Sequence, residues 1–98
     1  MTPRLVLQEP AKQDIRDAFH WYEERSTGLG FEFLRMVRAA GAVIARHPEA
    51  APVIVDDIRR ARVRRFPYSL FYFLGEGGPT VLACMHDRRD PRRWQSRR

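Results

Sequence analysis

Ninety-eight residues, 44% of them hydrophobic and 31% charged, allow one core and are too few for two. That balance excludes a disordered chain, and no apolar run approaches the length of a membrane span. The formal net charge of +6 is unevenly spread: residues 1–57 hold seven Lys and Arg against nine acids, residues 58–98 eleven Arg against three. A basic half of this kind points to an acidic partner, either nucleic acid or an acidic protein segment. The lone Cys84 excludes an internal disulfide and suits a reducing compartment. The opening residues lack the charged-then-apolar pattern of a signal peptide, so the expected location is cytoplasmic.

Arg4 to Gln8 reads as a short first strand that Pro10 ends. From Ala11 to Arg25, Ile15, Ala18, Phe19 and Tyr22 recur at helical spacing and form one apolar stripe. Glu9, Asp14 and Asp17 lie near its start, where the helix dipole favours anions. Ser26-Thr27-Gly28 is a stop, with Gly28 suited to a C-cap or turn. A second helix is predicted from about Gly30 to His47, with Phe31, Leu34, Val37, Gly41 and Ile44 on its apolar face. The His47-Pro48 step ends it. Two amphipathic helices joined by a short turn predict an antiparallel hairpin.

Glu49 to Asp57 reads as a Pro-bearing connector. Three strands follow: Ile58 to Phe66, Tyr68 to Leu74, and, after the turn Gly75 to Pro79, the apolar run Thr80 to Met85. The fold class is therefore α+β, in the order β-α-α-β-β-β, with the helical hairpin packed on one face of a small, mainly antiparallel sheet. No linker divides the chain, so residues 1–98 are expected to form one domain.

Alternation along the first of the three strands sets Arg60, Arg62 and Arg64 on one side and Ala61 and Val63 on the other. Arg88 and Arg89 leave the end of the last strand nearby. Five guanidiniums brought together repel unless an anion or an acidic partner neutralises them. The competing reading is a set of separately solvated charges that protect an edge strand. His86 reads as a structural residue whose ring bonds nearby backbone or a carboxylate. Trp94 reads as a packing residue laid back on the helical hairpin, and Asp90-Pro91 as the strand exit. His20, His47 and His86 have no ligand spacing and Gly75 to Gly78 no following helix, so neither a metal, a phosphate loop nor any cofactor is expected.

Arg64-Arg65-Phe66-Pro67-Tyr68-Ser69-Leu70-Phe71-Tyr72, then an apolar strand, then His86-Asp87-Arg88-Arg89-Asp90-Pro91-Arg92-Arg93-Trp94, resembles the ParE/RelE superfamily of type II toxin–antitoxin toxins. Ala11 to Ile15 followed by Phe19, Trp21 and Tyr22 is similar to the first helix of that family. The resemblance implies a bacterial toxin neutralised by a cognate antitoxin, usually encoded adjacently, in a hetero-oligomer. It implies DNA gyrase as target for ParE-like members and ribosome-bound mRNA for RelE-like ones. The surface expected to meet target or antitoxin runs along the sheet, at Arg60, Arg62, Arg64, Tyr68 and Tyr72. It continues into the C-terminal segment at His86, Arg88, Arg89 and Trp94. For a ribonuclease the resemblance selects Arg60, Arg62 and Arg88. Ser69, however, stands where the mRNA cleavers carry a strand Arg, and Trp94 where they often carry a Tyr. A Ser cannot stabilise a developing phosphorane as a guanidinium does, and an indole N–H is no substitute for a tyrosine hydroxyl. The ParE-like reading, a toxin that acts by binding, is therefore favoured over the enzyme. A third possibility is an antitoxin-bound module with little intrinsic toxicity.

Overall fold

A computed structural model describes residues 4–89 and 92–97. Its elements are β1 (Val6–Leu7), α1 (Glu9–Arg25), α2 (Leu29–Arg46), β2 (Val53–Val55), β3 (Ile58–Arg62), β4 (Tyr68–Gly75), β5 (Gly78–His86) and the single turn α3 (Arg92–Gln95). The expected α+β order holds, with one strand more. Val53–Val55 lies inside the expected connector and pairs antiparallel with β3. A three-residue strand preceded by Pro52 is too short for alternation to register.

Pro10 does not stop a strand; it occupies the first turn of α1, where the missing N–H costs nothing. Gly28 is the N-cap of α2, at φ 91°, and supplies the left-handed residue of the interhelical turn. Glu23 of α1 then accepts the Gly28 N–H at 2.9 Å and the Gly30 N–H at 3.0 Å, satisfying orphan donors at the start of α2. The helices approach closely here. A Cβ added to Gly30 would stand 2.6 Å from the Phe19 carbonyl oxygen.

The sheet runs β1-β5-β4-β3-β2, with β1 parallel to β5 and every other pair antiparallel. Side chains alternate across it and build two cores. On the helical side, Val63, Leu70, Tyr72, Val81 and Cys84 pack with Phe33, Val37 and Ile44 of α2 and Ala11 and Ala18 of α1. On the other side, Ile58, Phe71, Leu82, Ala83, Met85 and Trp94 form a second, smaller cluster. The register slips between Phe71↔Ala83 and Tyr72↔Val81, an extra residue that lets Leu82 and Ala83 both join this second cluster.

Trp94 is buried, as expected, but not against the helical hairpin. It stacks on Phe71 across the opposite face of the sheet, with ring centroids 4.5 Å apart and planes at 21°. The reason is that α3 leaves β5 on the side the helices do not occupy. The expected strand exit at Asp90-Pro91 lies outside the described residues. Among the described residues no helix is long and apolar enough to cross a membrane.

Candidate functional site

β3 ends at Arg62, four residues earlier than expected, because Arg64 and Arg65 turn the chain and Arg65 sits at φ 71°. Arg60 and Arg62 share one side of the pleat as the alternation requires. Arg64 is exposed in the turn, away from them.

The two arginines share a single carboxylate from within the chain. Arg60 Nη2 donates to Asp87 Oδ1 at 2.9 Å, and Arg62 Nη2 to Asp87 Oδ2 at 3.3 Å. Arg60 Nε donates to the Ser69 hydroxyl at 3.0 Å, and that hydroxyl donates to Asp87 Oδ1 at 2.8 Å. Ser69 is fully buried and lies opposite Arg62 on β3 and Met85 on β5. Burial by itself would raise the Asp87 carboxyl. The Ser69 hydrogen bond, the Arg60 hydrogen bond and the charges of Arg60 and Arg62 outweigh it and hold the group below its ordinary value. The repulsion between Arg60 and Arg62 is thus reduced by one side chain, a residue past the end of β5.

Spacing alone does not place Asp87. Counting along β4 and β5 from the Gly75–Gly78 turn sets Tyr68 opposite Met85; only the bulge between Phe71 and Tyr72 brings it opposite His86, and so Asp87 beside Ser69 and the arginine strand. The missing cue was the bulge, which shifts the count by one.

The rest of the expected surface divides. Arg88 and Arg89 are exposed, and among the described residues no carboxylate lies within ion-pair reach of either. His86 Nδ1 accepts the Arg88 N–H at 3.1 Å, the structural role expected for it. Its ring meets that of Tyr68 edge-on at 5.3 Å. Tyr68 is half-buried, and burial, with Tyr22 next, pushes its hydroxyl up, so it stays protonated at neutral pH. Tyr72 and Trp94 are buried and belong to the two cores, not to an exposed face; the Tyr72 hydroxyl donates to the Pro48 carbonyl at 2.8 Å. Among the described residues, no group of three or more His, Cys, Asp or Glu side chains is placed to hold a metal ion.

Two residues that the sequence did not single out as a pair complete the picture. Asp14 faces inward from α1, where it accepts the Cys84 N–H at 3.0 Å and meets Arg97 at 2.6 Å. The dipole role expected for Asp14 gives way to these contacts. Arg97 also donates to the Leu82 carbonyl at 3.2 Å, which ties it to β5 as well as to α1.

No family model matches the chain, and no curated protein matches it in sequence. Among solved structures it is similar to a chain of the "Chromosomal ParDE TA system from P. aeruginosa", with a TM-score of 0.73 over 87% of this chain and 96% of that one, at 13% identity. The two chains share a fold. At such low identity the likeness concerns the fold, and a fold hosts many activities. Within this shared fold the chain carries a clamped arginine pair, an exposed one, and a C-terminal segment pinned at Trp94 and Arg97.

Proposed function

We propose that this chain is the toxin component of a type II toxin–antitoxin system. In this reading it acts as one domain in the bacterial cytoplasm, is neutralised by a cognate antitoxin, and inhibits DNA gyrase by binding. The observation that carries the toxin reading is the likeness of fold to a chain of a ParDE system.

The choice of binding over cleavage is supported by Asp87. A guanidinium that stabilises a phosphorane must offer its donors to the substrate. Arg60 and Arg62 spend donors on Asp87, and Ser69 holds Arg60 in that arrangement. The exposed Arg88 and Arg89 fit a contact surface for an anionic partner.

Inducing the full chain alone in bacteria tests the proposal. The expected result is growth arrest with filamentous cells and loss of plasmid supercoiling while translation continues. Immediate translation arrest with codon-phased mRNA cuts would replace gyrase by the ribosome. Normal growth at verified expression would leave an antitoxin-bound module with little toxicity of its own.

A further inference from the structure

β5 outruns the strand beside it. β1 pairs only with Thr80 and Val81, and the Gln8 N–H reaches the Val81 carbonyl at 3.1 Å. From Leu82 to His86, among the described residues, that edge of β5 has no neighbouring strand. Two side chains stand in for one. Asp14 Oδ2 accepts the Cys84 N–H, where a strand would offer a carbonyl. Arg97 Nη1 donates to the Leu82 carbonyl, where a strand would offer an N–H. The two hold each other through contacts of 2.6 and 3.2 Å.

In an antiparallel strand the N–H and C=O of one residue point to the same edge, and alternate residues repeat the direction. The Cys84 carbonyl and the His86 N–H therefore follow the Cys84 N–H toward the uncovered side. That side opens into a cleft of about 920 Å³, floored by Cys84 to His86 and walled by α1 and the C-terminal segment. Arg89 and Arg93 line the C-terminal wall, both exposed. Asp17 and the half-exposed Trp21 line the α1 wall.

We propose that this cleft receives a strand. An extended segment of a partner polypeptide pairs with β5 at Cys84 and His86 and sets carboxylates against Arg89 and Arg93. An open strand edge is a template for pairing. A helix would leave the edge unserved, because its main-chain groups are used internally. A nucleic acid would meet the carboxylates of Asp14 and Asp17 on the facing wall. The inference rests on the antitoxin-bound reading only for the source of the segment.

The test uses the full chain, isotope-labelled, and a blocked decapeptide of alternating Val and Glu. Two further peptides carry N-methyl groups on every second residue, in one register or the other. The expected result is saturable slowing of His86 amide exchange, with affinity reduced on the order of tenfold or more by the paired substitutions Arg89→Ser and Arg93→Ser. Only one N-methyl register should bind, the one whose methyl groups point away from β5. Absence of slowing at His86, equal binding by both registers, or equal binding when Lys replaces Glu would each overturn the proposal. Growth inhibition plays no part in this readout, so failure of the toxin reading and failure of strand addition are separate results.

Discussion

Trp94 lies flat against Phe71 and closes the face of the sheet that the helices leave open. A buried indole removes on the order of 200 Å² from water, worth roughly 5 kcal/mol at about 25 cal/mol per Å². Trp94→Ala should therefore lower unfolding free energy by about 3–5 kcal/mol, and Trp94→Phe by less. Urea unfolding of the two variants checks this. A loss below about 1 kcal/mol for Trp94→Ala would mean that α3 is not docked in solution.

Asp87 ties the arginine strand to the end of β5. Its folded pKa is depressed, so its stabilising share is complete above the unfolded value of about 3.9 and is lost as pH falls through the lower, folded one. Stability should therefore drop with acidification below about pH 4, and Asp87→Asn should flatten that drop. At neutral pH the same variant should cost about 1–3 kcal/mol, since the partly buried Arg60 loses its counter-charge. Unfolding curves of both proteins across acidic pH give both quantities, and superimposable acid profiles would contradict the assignment.

Among the described residues, Arg88 and Arg89 form no comparable ion pair. Replacing both by Ala should leave stability within about 0.5 kcal/mol while abolishing growth inhibition. Undiminished inhibition by a well-folded double variant would remove them from the contact surface.

Gly30 is required by the closeness of the two helices. Gly30→Ala forces a methyl against the Phe19 carbonyl, which is backbone and cannot rotate away. A destabilisation of about 1–3 kcal/mol is expected, despite the higher helix propensity of Ala. An increase in melting temperature would show that the hairpin can open at no cost.

Periodicity by itself determined much of this protein. The apolar stripes of α1 and α2, the turn at Gly28 and the apolar run of β5 are local signals, and each lies within a few residues of where the chain places it. The arginine alternation was equally local and correctly set Arg60 beside Arg62. What those arginines do was a tertiary matter. Asp87 meets Arg60 across 27 positions of sequence, and Arg97 meets Asp14 across 83. Neither pairing is encoded by spacing, because each depends on how a bulge, a strand exit and a helix face come together in space. The same holds for Trp94. Its size required burial, but which face of the sheet received it was decided by the side on which the chain leaves β5.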